Sequence, residues 1–240
     1  MNKKNNPDFL VPVCRPNTLH NYLIRQAILK ALKSQQDIFH GRLLDVGCGE
    51  MPYKSLVASG FNNVECYVGL DFKQNAIHNN SPDIYWEEGK IPLDDSSVDC
   101  VLCTEVFEHC PDPEAVMNEI YRVLKVNGIL FFTVPFLWPL HEVPYDNYRY
   151  TPFALERHLT QCHFSEIELK AMGGWDASLA QMLGLWVRRR PMRRFMRRIL
   201  SCCFLPVVWI LGKVDKPKNA LFNEGSMVTG LSGTARKLKD

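Results

Sequence analysis

Short apolar runs alternate with stretches of helical spacing along most of this chain. Leu19, Leu23, Ile24, Ala27, Ile28, Ala31 and Leu32 recur every three or four residues, which predicts a helix over 18–33. Arg42–Val46 then reads as a strand, Pro52–Ser59 as a helix and Glu65–Leu70 as a second strand. A short helix is expected from about Lys73, and Asp83–Trp86 is a candidate third strand. Val98–Thr104 (VDCVLCT) is nearly all apolar, as in strands covered on both faces. Pro113 opens a helix to about Lys125, with Ala115, Val116, Ile120, Val123 and Leu124 on one stripe, and Asn127-Gly128 is expected to end it. Ile129–Val134 is the fifth strand. Phe136–Tyr150 carries too many prolines and aromatics for a regular element. Thr151 and Pro152 start a helix to about Leu159, followed by a strand at Phe164–Ala171, a helix at Gly173–Val187 and a last strand near Met227–Leu231. Strands and helices in this alternation imply a parallel sheet with helices on both faces.

Composition changes little in that picture. The 240 residues are 46% hydrophobic and 22% charged, which suits one globular domain. Residues 1–17, with Pro7, Pro12 and Pro16, read as an arm, and 18–240 as the domain. The first residues, MNKKNNPDF, show no apolar leader. Nine cysteines without framework spacing suggest reduced thiols and a cytoplasmic setting. Cys100 and Cys103 form a C-x-x-C, but residues three apart in a strand face opposite sides, so no metal or redox pair is expected there. Charge matters only locally. The net charge is +2, yet seven arginines crowd into Arg188–Arg198, leaving about −5 for the rest.

The candidate chemistry centres on Leu43–Tyr53 (LLDVGCGEMPY). An apolar strand runs into Gly47-Cys48-Gly49, where glycine permits a tight turn and close backbone approach to a ligand. Such a strand–turn–helix unit is expected to aim backbone N–H groups at a nucleotide-like molecule. Pro52 occupies the place of the third glycine of a dinucleotide fingerprint, which argues against a dinucleotide. Asp71 follows the next strand, where an acceptor-only carboxylate can take both hydroxyls of a ribose.

With these motifs in order, residues 19–171 resemble the class I S-adenosylmethionine-dependent methyltransferases, and most closely the type 11 branch. The resemblance rests on Asp45-Val46-Gly47-Cys48-Gly49 with Pro52-Tyr53, Gly69-Leu70-Asp71, the Ile91–Asp99 segment, Thr104–His109 followed by Pro111-Asp112-Pro113, and Arg122–Lys125 with Gly128. Met51 and Asn127 depart from the family pattern. The family implies a Rossmann-like α/β fold: a seven-stranded, mostly parallel sheet with one antiparallel strand and helices on both faces. Gly225–Leu238 fits the last strand, which makes about 174–224 an insertion. The resemblance places S-adenosylmethionine against Asp45, Gly47, Cys48 and Gly49, its ribose on Asp71, its adenine beside Phe72 and Glu87 or Glu88, and Thr104 and Glu105 over it. The product is S-adenosylhomocysteine, and no metal is expected.

His141–Pro152 (HEVPYDNYRYTP) is similar to a segment of methyltransferases associated with bacterial surface-polysaccharide genes. His141 is the candidate base, with Glu142 or Asp146 to orient it. His109, Tyr145, Tyr148 and Arg149 are the candidate acceptor contacts. The competing reading makes this loop a lid whose contacts only hold its shape. Arg188–Leu211 also divides the readings: an interfacial segment on anionic lipid, a cover packed on the core, or a nucleic-acid patch. Thirteen mostly apolar residues are too few to span a bilayer, and Pro206 is expected to kink a helix. The expected acceptor is an oxygen on a saccharide or lipid-linked molecule at the inner face of the membrane. A small soluble acceptor, RNA, or a catalytically silent cofactor-binding module are the alternatives.

Overall fold

The computed structural model describes residues 7–61, 63–72, 81–87, 89–216 and 222–239. The helix expected from Lys73 and the candidate contact Glu88 lie outside them. The elements are α1 (Pro7–Leu10), α2 (Tyr22–Ser34), β1 (Gly41–Val46), α3 (Lys54–Gly60), β2 (Val64–Phe72), β3 (Ile84–Trp86), β4 (Val98–Thr104), α4 (Pro113–Val123), β5 (Leu124–Pro135), α5 (Pro152–Gln161), β6 (Ser165–Met172), α6 (Trp175–Arg189), α7 (Arg194–Val214) and β7 (Gly230–Arg236).

The seven strands form one sheet in the order β3-β2-β1-β4-β5-β7-β6. The first five are parallel, and β7 inserts antiparallel between β5 and β6. Period-two alternation sorts the side chains onto two faces. Leu44, Val46, Val101, Cys103, Leu130, Phe132 and Val134 pack on one face with Val116, Met117 and Ile120 of α4 and Leu155 and Leu159 of α5. Leu43, Cys100, Leu102, Ile129 and Phe131 pack on the other with Ile24, Ile28 and Leu32 of α2 and Val57 of α3. Cys100 and Cys103 therefore lie on opposite sides of the sheet, as their spacing requires.

Local chemistry explains the helix starts. Asp112 accepts from Ala115 N at α4, and Thr151 from Ala154 N at α5, each with proline in the first turn. Three expectations shift. Pro52 sits in the turn before α3, whose N-cap is Tyr53. β5 begins at Leu124, directly after α4, and Asn127, at φ 66°, is looped out between two paired stretches, with Val98 opposite Leu124 and Cys100 opposite Ile129. Asn127-Gly128 is therefore a bulge inside a strand, because sheet pairing outweighs the local stop signal. The last strand begins at Gly230 rather than Met227; Met227 lies before the ladder that pairs Gly230 with Pro135.

The apolar insertion is a helical hairpin. α7 runs as one helix of 21 residues through Pro206, so the apolar segment is longer than its sequence limits suggested. By length and composition this helix passes the test for a membrane span, although only 11% of its most apolar window is buried. Val208 of α7 and Ala180 of α6 reach a small core with Leu19, Tyr22 and Leu23. Both glycines of the hairpin mark close approaches: a Cβ on Gly184 would stand 2.2 Å from Leu19 O, and one on Gly212 would stand 2.6 Å from Leu23 Cδ2.

Gly233 supplies a fold test. It pairs with Phe132 across β5 and β7, and a Cβ there would stand 2.5 Å from the Phe132 ring. Gly233→Ala is expected to destabilise by about 1–3 kcal/mol. Adding Phe132→Leu is expected to recover part of that loss, a non-additivity that denaturant unfolding of the double-mutant cycle reads directly.

Candidate active site

The strand order reverses between β1 and β4, and the crevice outside the carboxyl ends of such neighbouring strands is where α/β sheets receive ligands. The Gly47–Gly49 turn leaves β1 on one side of it, and Glu105-Val106 leaves β4 on the other. Gly47 has φ 69°, and a Cβ there would stand 2.4 Å from Val106 Cγ2. Only glycine lets the two loops meet this closely. Gly49 has φ 51°, and a Cβ there would meet nothing within 4 Å, so the turn opens onto free space. Met51 keeps the left-handed conformation of the glycine it replaces, at φ 52°. One expectation is corrected here. The Gly47 and Cys48 amides do not point at a ligand; both donate to Leu70 O, at 2.8 and 3.0 Å, and tie the turn to β2.

Three carboxylates surround this opening. Asp45 is buried and accepts a hydrogen bond from the Tyr67 hydroxyl. Burial pushes its carboxyl up to about 7; the Tyr67 bond opposes the rise and the charge of Asp71 adds to it. Asp71, also buried, ends β2 and accepts from Phe72 N at 2.8 Å. Glu105, at φ 55°, is held by Thr133, whose hydroxyl donates to Oε1 at 2.8 Å. Burial raises it to about 7 against that bond and the charges of Arg25 and Arg149. Phe72 stacks on Trp86, with ring centroids 4.7 Å apart, and exposed Glu87 follows. Thr104 ends β4, half-buried beside Glu105. Phe9 of the N-terminal arm meets the Tyr53 ring edge-on at 5.9 Å, so the arm reaches the same stretch.

The long loop after β5 folds onto the 3-10 turn Phe107–His109 after β4. Asn147 N and Tyr148 N donate to Glu108 O at 2.8 and 3.1 Å, and the Tyr150 hydroxyl donates to Phe107 O at 3.0 Å. This lacing brings His109 and His141 together, with ring centroids 4.7 Å apart. His141 Nδ1 lies 3.2 Å from Asp146 Oδ2, which also accepts from the His141 amide. Arg149 grips the same carboxylate with two bonds of 2.7 and 2.8 Å, and this clamp holds Asp146 down to about 2. His109 Nδ1 lies 3.3 Å from Tyr145 O, and its Nε2 is 3.8 Å from Glu142 Oε2. Glu108 is fully buried, neither carboxylate oxygen has a hydrogen-bond partner among the described residues, and burial together with the charge of Glu105 raises its pKa. Glu108, His109 and His141 each offer a donor atom within 4.8 Å of the others, a set able to hold a divalent cation.

The candidate residues thus divide. His141, Glu142, Asp146 and His109 gather at one mouth. Tyr145 is exposed beside them. Arg149 and Tyr148 are turned to the loop itself: the guanidinium also donates to Trp138 O and Pro139 O, and the Tyr148 hydroxyl donates to Pro111 O at 3.0 Å. Tyr67, Thr133, Trp86 and Glu108 also shape the site. Sequence reading passed over the first three, because each acts through a partner on another strand, and Glu108 was singled out only as a neighbour of His109.

Residues 44–132 match the family model described as a methyltransferase domain. A ubiquinone biosynthesis O-methyltransferase of Neisseria meningitidis is 30% identical over 129 residues, covering 48% of this chain and 52% of that protein. The chain therefore spans about half the length of the curated relatives that it matches. A SAM-dependent methyltransferase of Thermotoga maritima superposes with a TM-score of 0.54 at 15% identity, covering 90% of this chain and 91% of that one. Phosphoethanolamine N-methyltransferase 2 of Haemonchus contortus, in complex with S-adenosyl-L-methionine, gives 0.56 at 14%, covering 92% and 56%. The fold is that of the class I methyltransferases, and the motif resemblance holds over the matched span.

The His141–Asp146 pair makes a titration test. Burial lowers the His141 pKa, and the Asp146 charge raises it in part. The ring is therefore expected to titrate below the ordinary histidine value of about 6.5. Asp146→Asn removes the raising charge and is expected to move the midpoint lower still. Proton NMR of the histidine rings against pH reads both; a midpoint above the ordinary value in the wild type contradicts the arrangement.

Proposed function

We propose that this chain is an S-adenosylmethionine-dependent methyltransferase that methylates an oxygen of a saccharide or lipid-linked acceptor at the inner face of a membrane. The observation that carries the methyltransferase reading is the crevice at the strand-order reversal. It combines an open glycine turn after β1 with a buried carboxylate, Asp71, at the end of β2. The residues fit the cofactor. Asp71 is placed to accept ribose hydroxyls, and the Phe72–Trp86 stack offers a flat apolar wall to an adenine. Asp45, Asp71 and Glu105 make the crevice acidic, which suits a positively charged sulfonium. When bound, S-adenosylmethionine supplies a methyl group activated by that sulfonium.

The loop after β5 serves the acceptor. Its main task is to hold an acceptor oxygen in line with the methyl, because this displacement is chiefly a matter of position. Asp146, itself held by Arg149, orients the His141 ring through Nδ1 and leaves Nε2 as a proton acceptor. With the bound sulfonium supplying the methyl and its sulfur taking back the carbon–sulfur pair, His141 Nε2 would accept the proton that the acceptor hydroxyl gives up. The lowered His141 pKa keeps the ring neutral at physiological pH, ready for that role. The O-methyltransferase named among the relatives supports oxygen as the acceptor atom. The exposed apolar face of the hairpin supports a membrane setting.

Calorimetry with S-adenosylmethionine tests the pocket: Asp71→Ala is expected to weaken binding at least ~10-fold, as loss of a charged hydrogen-bond acceptor does. Unchanged affinity would sink the assignment. Transfer of labelled methyl to a cell-envelope extract tests the chemistry. His141→Ala is expected to slow it about 10²–10⁴-fold while cofactor affinity stays the same. Label in soluble or RNA fractions alone would contradict the proposed acceptor, and cofactor binding without any transfer would point to a silent module.

A further inference from the structure

The hairpin carries a feature that methyl transfer does not use. From Ala177 to Val214 the chain contains no acidic residue, while seven arginines crowd the α6–α7 connection. Arg188, Arg194, Arg197 and Arg198 line a pocket of about 350 Å³ with Pro16, Asn17 and Ser201. On these lining residues, Arg188 Nε, Arg197 Nε and Ser201 Oγ are buried and have no hydrogen-bond partner among the described residues. Buried donors are ordinarily satisfied, so three of them converging on one pocket call for an acceptor from outside the chain. Several guanidinium groups repel one another unless an anion lies between them; burial and the neighbouring Arg197 and Arg189 already lower the pKa of Arg188. Planar guanidinium forks match the paired oxygens of a phosphate or a carboxylate.

The hairpin that carries the pocket also has an exposed apolar face. Trp175, Leu179, Met182 and Trp186 form an exposed stripe at helical spacing on α6. On α7, Ile199, Val207, Trp209 and Ile210 are exposed, and no charge falls between Arg198 and Lys213. Arg190 lies over the Trp186 ring at 4.0 Å, and Lys213 lies over Trp209 at 6.0 Å, so cations flank the aromatic rings as they do at a membrane interface.

We propose that the Arg188–Arg194–Arg197–Arg198 pocket binds a phospholipid phosphate and seats the exposed α6–α7 face on an anionic bilayer. The proposal deepens the membrane part of the reading above and is independent of methyl transfer. Charge complementarity chooses this occupant. Nucleic acid would answer the arginines but leave the tryptophans uncovered. A second copy docked by two-fold symmetry would bring the same arginine-rich patch against itself, without an acid to offset it. The helix lies on the surface rather than crossing it, because its middle and its C-terminal end are tied to the domain. Ser201 and Val208 are buried against it, and Asp215, just past α7, accepts from Gly174 N and Ala177 N at 2.9–3.1 Å.

Co-sedimentation of the full chain with two vesicle types tests this: phosphatidylcholine alone, and about three parts phosphatidylcholine to one of phosphatidylglycerol. Preference for the anionic vesicles is expected, with a blue shift of tryptophan emission. Each arginine near the surface should contribute about 5-fold, so R188Q/R194Q/R197Q/R198Q is expected to lose about 10²-fold or more of the binding. Ile210→Ser with Trp209→Ser should weaken binding to both vesicles and reduce the blue shift. S-adenosylmethionine calorimetry on the same variants is expected to be unchanged. That shows them folded and separates failure here from failure of the methyltransferase reading. Equal binding to neutral vesicles, or binding indifferent to the arginine changes, would overturn the proposal. So would displacement by millimolar inorganic phosphate (a soluble ligand), preference for an RNA duplex, resistance to alkaline carbonate (a spanning helix), or a dimer that the Ile210 and Trp209 changes dissociate without any vesicle binding.

Discussion

The site depends on one close approach. The turn after β1 passes against Val106, after β4, with room for a hydrogen atom and no more at Gly47. Two parallel strands whose connections leave in opposite directions open a crevice at their ends only if both exits stay clear of it. Glycine at 47 keeps the first exit tight, and the bonds of the Gly47 and Cys48 amides to Leu70 O hold it down. The second exit is turned by Glu105 in the left-handed conformation, held by Thr133 through both backbone and side chain. Asp45, Asp71 and Glu105 are left around the opening, and two of these carboxyls rise to about 7 because burial is poorly compensated.

A second layer of polar contacts carries that geometry outward. The Glu108 carbonyl receives two amides from the loop after β5, so that loop is registered against the 3-10 turn after β4 through backbone bonds. Arg149 is the keystone of the loop: it closes on Asp146, Trp138 O and Pro139 O, and Asp146 in turn orients His141. An arginine that sequence reading assigned to an acceptor thus acts two contacts away, by fixing the group that fixes the histidine. The hairpin is attached differently. Ala180 and Val208 pack on Leu19, Tyr22 and Leu23, Gln181 donates to His20 O, and the outward face of the hairpin is apolar.

Much of this was legible in the chain itself. Period-two alternation in Val98–Thr104 and Ile129–Val134 set which side chains face which layer, since strand geometry leaves no other choice. The glycine turn, the acid one strand later and the order of the motifs placed the crevice, because these are local requirements of backbone conformation and hydrogen-bonding capacity. The caps at Asp112 and Thr151 were equally plain. Asn127-Gly128 misled, because a stop signal and a strand bulge use the same residue types.

Tertiary structure decided what depends on partners distant in sequence. Tyr67 meets Asp45, Thr133 meets Glu105 and His109 meets His141 across 22, 28 and 32 residues, and no spacing rule encodes such pairs. Pro206 was expected to bend the apolar segment, yet α7 continues through it. Whether Arg188–Leu211 covers the core or faces outward was open in sequence, since an amphipathic pattern needs polar residues on one side and this stretch has few. The fold divides the segment: Ser201 and Val208 are buried, Leu205 and Leu211 pack beside the small core, Ile199, Val207, Trp209 and Ile210 are exposed, and four of the arginines line one pocket. The sequence determined the crevice through local backbone rules. Only the fold, by bringing distant donors and charges to one place, decided which side chains are engaged and which are left to meet something else.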